Sequence, residues 1–275
     1  MPAKKTILLI ATLDTKGEEA NYIKEKIEQA GKRVLILDCG LAGKARWVKG
    51  DITRYAVAGK AGVSYKKLQS LSRIEAEEAM AKGLASLVRE LYNSKKFDAA
   101  LGIGGYDGSL LASAGMRELP VGFPKLILSA MACGDIKFGE YVGTRDITIM
   151  PSVYDLVGVN SLTCKIFDNA IAAICGMVDR NVKPGVSARN LISLTMFGQT
   201  NPCGACGKRM LEKEGYEVVG FHPNQVGGTA MEEMIKAGVF CGVWDLTTQE
   251  ISEEAAFGIQ PARSGMLTKE SAHFI

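Results

Sequence analysis

The chain has 275 residues, an apolar content of 47% and 33 basic against 30 acidic residues, enough for two ordinary domains and too nearly balanced to imply a nucleic-acid or other charged partner. No apolar run is long enough for a membrane span, Met1-Pro-Ala-Lys-Lys lacks a signal peptide's apolar segment, and seven scattered cysteines fit a reducing cytoplasm better than a disulfide framework. The expectation is a cytoplasmic α/β protein without a membrane segment.

Thr6-Ile-Leu-Leu-Ile-Ala-Thr12 is an unbroken apolar run, the pattern of a strand buried on both faces of a parallel sheet. At its end Asp14-Thr-Lys-Gly-Glu-Glu19 opens a helix, with Thr15 and Glu18 at capping-box spacing. Asp14, Thr15 and Lys16 thus fall at the carboxyl end of a central strand, where open α/β sheets bind ligands. Arg33 to Asp38 is the next strand. Its terminal acid stands where dinucleotide folds hold a ribose, but the first turn lacks G-x-G-x-x-G, and no G-x-x-x-x-G-K-[ST] occurs in the chain.

From Cys39 to Leu71 the pattern is irregular and basic, with Lys44, Arg46, Lys49, Arg54, Lys60, Lys66 and Lys67. Such a stretch is either a lid over an anionic ligand or a solvated excursion. Few aromatics accompany the charge, which argues against nucleic acid. Ile74 to Tyr92 is an amphipathic helix. It leads to the strand Phe97 to Ile103 and a glycine turn, Gly104, Gly105 and Gly108, with Ser109 expected to cap a helix over Leu110 to Leu119. Glycine permits close backbone approach, and a helix start presents unpaired N–H groups to an anion. Pro124 to Ser129 and Ile147 to Met150 read as further strands. Their flanking turns are expected to meet the glycine turn on one sheet edge, where Asp107, Ser129, Thr144 and Asp146 would supply ribose, phosphate or metal contacts, or simple turn and cap bonds.

Leu156 to Val178 has helical spacing with few charges, and 181–189 has linker composition. The boundary is placed at 183/184. A second unit, 184–275, repeats the layout: strand Asn190 to Phe197, a helix from Asn201, strand Glu214 to Phe221, with Gly215 and Val218 echoing Gly31 and Val34. Val226-Gly-Gly-Thr229 is a second glycine turn entering a helix, and Phe240 to Asp245 a last strand. The helix start also carries Cys203-Gly-Ala-Cys206, either small residues opening a helix or a thiol-redox or metal pair.

The ordered series Ala11 to Glu19, Leu101 to Gly105, Met116 to Gly122, Tyr141 to Thr148, Thr195 to Cys203, Phe221-His222, Gly227 to Glu232 and Asp245 to Glu250 resembles a largely uncharacterised family. That family includes the ATP-binding N-terminal domain of the tomato mosaic virus resistance protein. The resemblance implies two Rossmann-like domains with mostly parallel sheets, ATP with Mg2+ as ligand, and a homodimer. Family members run on past Ala256, so the second domain is expected to be partial, with an exposed sheet edge.

On this reading the nucleotide contacts Asp14, Thr15, Lys16, Gly104, Gly105, Asp107, Gly108, Ser109, Ser129 and Thr144. Asp107 or Asp146 holds the metal. A small-molecule second substrate faces His222, Gly227, Gly228 and Thr229. The function expected is ATP binding, with phosphoryl or nucleotidyl transfer if the protein is an enzyme. The alternatives are a nucleotide-dependent scaffold and thiol chemistry at Cys203 and Cys206.

Overall fold

The computed structural model describes residues 4–131, 139–180 and 190–257, and the chain divides into two compact units, Met1–Asn181 and Val182–Ile275. The linker, part of the loop after Ser129 and the tail beyond Phe257 lie outside the described residues.

The first unit runs β1 (Thr6–Ala11), α1 (Gly17–Gln29), β2 (Arg33–Asp38), α2 (Arg54–Lys60), α3 (Tyr65–Leu68), α4 (Arg73–Asn93), β3 (Ala99–Gly104), α5 (Tyr106–Met116), β4 (Lys125–Ser129), α6 (Gly139–Val142), β5 (Thr148–Pro151) and α7 (Ser161–Asp179). Its strands form one parallel sheet in the order β2-β1-β3-β4-β5. Every residue of β1 is buried, because successive side chains enter different cores. Leu8 and Ile10 join Val57, Met80, Leu84, Val88, Leu111 and Met116, the layer made by α2, α4 and α5. Ile7, Leu9 and Ala11 join Ile23, Ile27, Phe167, Ile171 and Ile174, the layer made by α1 and α7. Helix α7, contrary to the sequence reading, is long and apolar enough to cross a membrane, but its Phe167, Ala170, Ile171, Ile174 and Val178 are part of this core.

The basic stretch after β2 is less irregular than the sequence implies. Thr53 caps α2 through Ala56 N, Ser64 caps α3 through Lys67 N, and Ser72 with Glu75 makes a capping box for α4. Two other expected caps are corrected. Helix α1 starts at Gly17 behind Lys16, and Thr15 bonds Thr12 instead of capping it. Helix α5 starts at Tyr106 behind Gly105, so Ser109 lies inside the helix and not at its cap. The segment 156–160 precedes α7 as loop.

The second unit runs β6 (Leu191–Thr195), a 3-10 turn at Gly198–Thr200, α8 (Asn201–Lys213), β7 (Glu217–Phe221), α9 (Gln225–Lys236), β8 (Gly242–Trp244) and α10 (Gln249–Phe257). Its parallel sheet has the order β7-β6-β8, the same plan as β2-β1-β3. The likeness extends to the turns between helix and strand. Gly31 and Gly215 both take positive φ (79° and 88°), and the next residue's N–H bonds five back, Lys32 to Ile27 and Tyr216 to Leu211.

Candidate functional site

In the first sheet β1 connects to β2 on one side and the chain then crosses back from β2 to β3 on the other, so the crevice for a ligand lies beyond the carboxyl ends of β1 and β3. Both sequence-predicted turns are there. A Cβ built on Gly108 would lie 3.9 Å from Thr12 Oγ1, which puts the glycine turn against the end of β1. Thr12 Oγ1 and Thr15 Oγ1 share a hydrogen bond of 2.8 Å. Gly104 is required by packing, since its Cβ would meet Gly108 Cα at 2.7 Å, whereas a Cβ on Gly105 would meet nothing within 4 Å. The first turns of α1 and α5 therefore point unpaired N–H groups at the same edge.

A cavity of about 220 Å³ opens beside the β1–α1 turn, lined by Asp14 to Glu19, Arg46, Trp47 and Leu156 to Gly158. Lys16 Nζ donates to the Leu156 carbonyl, and Glu19 accepts from Gly158 N at 2.9 Å, fixing the far wall. The near wall is the excursion after β2: Arg46 N bonds Leu13 O, and the Arg46 carbonyl would lie 2.2 Å from a Cβ on Gly17. Trp47 stands on the rim, 71% exposed, at φ 66°. Arg46 belonged to the basic stretch legible in the sequence. Trp47 and the 156–158 wall gave no signal there, because their role depends on two loops meeting across the sheet edge.

Under the cavity a buried network ties the excursion down. Arg54 Nε donates to Asp38 Oδ2 (2.7 Å) and Nη2 to Asp38 Oδ1 (3.1 Å), while Nη1 reaches Gly43 O (2.6 Å) and Tyr65 Oη (3.2 Å). Asp14 Oδ2 lies 3.6 Å from Nη1 and accepts from Ala42 N and Gly43 N. Burial disfavours the charge on Arg54, but the bonds to Asp38 and Tyr65 outweigh it, so the guanidinium stays protonated well above its ordinary range. Asp38 is thereby committed to an ion pair and does not stand free for a ribose. Asp14 Oδ1, buried, has no hydrogen-bond partner among the described residues.

The other predicted residues divide. Ser109 and Ser129 are buried and bond one another at 2.8 Å, tying α5 to the end of β4. Asp107, in the first turn of α5, pairs with Arg73 at the start of α4. Thr144 and Asp146 are a correction. They precede β5, at the amino end of the sheet, where Asp146 pairs with Lys125 (2.7 Å) and accepts from Gly122 N. The strand that follows them separates them from the glycine turn. Among the described residues no three His, Cys, Asp or Glu side chains come together as a metal site.

In the second unit His222 packs edge-on against Phe197, and Gly227 and Gly228 lie within the first turn of α9. Asn224 caps that helix through Gly227 N at 2.7 Å. A Cβ on Gly227 would meet the His222 carbonyl at 2.2 Å, so this glycine is explained by close packing.

The pattern of the uncharacterised protein family (UPF0261) N-terminal domain matches residues 5–183, and that of its C-terminal domain residues 189–273. A UPF0261 protein of Clostridium tetani is 39% identical over 97% of this chain and 66% of its own length, and one of Rhizobium meliloti 37% identical over 94% and 63%. The ToMV resistance protein Tm-1 of Solanum lycopersicum is 35% identical over 67% of this chain and 25% of its own length. The chain thus spans less than two thirds of the relatives it matches here. A solved putative UDP-N-acetylglucosamine 2-epimerase from Listeria monocytogenes shares 10% identity and a TM-score of 0.36 over 90% of this chain and 71% of that one, too distant to bear on function. By its matched residues and its relatives, the chain belongs to the uncharacterised protein family UPF0261.

Proposed function

We propose that the first unit binds ATP, with the phosphate chain in the crevice between the ends of β1 and β3. The observation that supports this most is the convergence of two helix starts, α1 and α5, on one edge, with open space at Gly105; the cavity that Lys16 and Arg46 line lies at the α1 start and includes no residue of the glycine turn. Lys16 would exchange the Leu156 carbonyl for a phosphate oxygen. Magnesium would enter carried by the phosphates and water, with Asp14 the nearest acid, since Asp14 lines the cavity but its Oδ1 is buried and its Oδ2 accepts from Ala42 N and Gly43 N beside Arg54. Asp107 would join only by leaving Arg73. The six described cysteines are free thiols, in keeping with a cytoplasmic protein. The homodimer implied by the resemblance belongs to the same proposal and is read by sedimentation velocity.

Two uses of the nucleotide remain. In one, the protein transfers a phosphoryl or nucleotidyl group to a small molecule. In the other, ATP binding is structural or regulatory. The second is favoured by the acids of this edge, since Asp14, Asp38 and Asp107 are all held in ion pairs. Calorimetry with ATP and Mg2+ tests the binding. Gly105→Val adds bulk where the fold leaves room, and Lys16→Ala removes the counter-charge. Each is expected to weaken ATP by about tenfold or more, or 1.4 kcal/mol. Unchanged affinity in both would refute the site.

A further inference from the structure

Helix α8 packs on its sheet through glycines. Gly204 lies against Met196 and Leu246, Gly207 would place a Cβ 2.1 Å from the Trp244 ring, and Leu211 completes the buried side. This fixes the helix's rotation and turns Cys203, Cys206 and Met210 to solvent. All three are exposed, Met210 by 64%. Their spacing of i, i+3 and i+7 confines them to roughly 60° of arc at about 100° per residue. Helical side chains lean toward the N-terminus, so the long Met210 thioether lies over the turn that carries Cys206, and Cys206 over the turn that carries Cys203. Packing gives no reason for an exposed methionine beside two exposed thiols.

We propose that Cys203, Cys206 and Met210 form a three-sulfur site for a soft monovalent metal ion, Cu(I). Two thiolates and one thioether are soft donors, which select Cu(I). Zn2+ wants four ligands, with nitrogen or further thiolates, and among the described residues no third His, Cys, Asp or Glu joins these two thiols. Binding releases two thiol protons to solvent and leaves one surplus negative charge on the complex. Cys203 lies in the first turn of α8, whose positive end favours that charge. The site is independent of the nucleotide crevice and stands or falls apart from it.

The test uses the full chain under anaerobic, reducing conditions, with Cu(I) added as its acetonitrile complex and bathocuproine disulfonate as the competing chromophore. The wild type is expected to withhold one equivalent. Cys203→Ser/Cys206→Ser is expected to lose it, by more than the roughly 100-fold that bounds the removal of a mere supporting group. Met210→Leu is expected to retain the ion about tenfold more weakly. Copper X-ray absorption should count three sulfur neighbours in the wild type and two in Met210→Leu. All three positions are exposed, so unchanged circular dichroism is expected to accompany these losses. A wild type that withholds no Cu(I), a double variant that still does, or a Met210→Leu protein with unaltered affinity would each overturn the proposal.

Discussion

The two units share a β-α-β-α-β plan, down to the glycine after their first helices, and differ in what fills it. In the first, the sheet is covered on both faces by large buried clusters. In the second, the cluster has Ile192, Leu194 and Val218 buried, with partly buried side chains around them. The connection after β2 runs to Ser72 before the next long helix, and a guanidinium clamps it to the sheet edge. After β7, only His222 to Asn224 intervene before α9. One backbone plan thus serves two purposes. Strand order decides where a crevice falls, and the length and charge of the loop beside it decide what lines it.

This contrast is breakable. The largest effect is expected for Arg54→Met, which leaves Asp38 and Asp14 buried without their cation. Removing one partner of a buried ion pair costs about 3–5 kcal/mol. Urea denaturation should show that loss, and hydrogen exchange should place it in the first unit, with β6 to β8 unchanged. Equal loss of protection in both units would show that the division is wrong. The reciprocal perturbation is Gly207→Ala, which drives a methyl group into the Trp244 ring. Overpacking costs roughly 1–3 kcal/mol, and here the loss should stay in the second unit.

The smallest test asks how far the duplication reaches. The turn between α4 and β3 makes the same bond pattern as that between α9 and β8: Lys96 N bonds Leu91 O, as Val239 N bonds Met234 O. Yet the residue with positive φ is Lys95 (53°) in one and Gly238 (70°) in the other. Lys95→Gly should therefore stabilise the first unit by about 0.5–1 kcal/mol, and Gly238→Ala should destabilise the second by about 1. If Lys95→Gly loses stability in a thermal melt, the two turns are not equivalent.

The strands and long helices were legible because burial writes itself into the chain. Thr6 to Ala11 and Ala99 to Gly104 have no polar face to hide, and Ile74 to Tyr92 repeats at helical spacing. The two turns of the crevice were legible too, since position after a strand and a run of glycine are local facts. Three matters were not local. Thr15 and Ser109 have cap chemistry, but Lys16 and Gly105 took the cap positions. Thr144 and Asp146 follow a strand in sequence, but they sit at the far end of the sheet because a whole crossover, with α6, lies between β4 and β5. Asp38 was read by its place at the end of β2, and its partner Arg54 lies sixteen residues on, in a stretch with no regular pattern. A side chain's chemistry is visible in one dimension, and its partner is not.

The chain has two tryptophans, Trp47 in the first unit and Trp244 in the second. One stands in water on the rim of the cavity, and the other lies partly buried against Gly207. Each unit therefore carries its own optical label. A Trp244→Phe chain emits from the cavity rim alone, and a Trp47→Phe chain from beneath α8 alone. Ligand binding and unfolding become separately visible in one protein without any added dye.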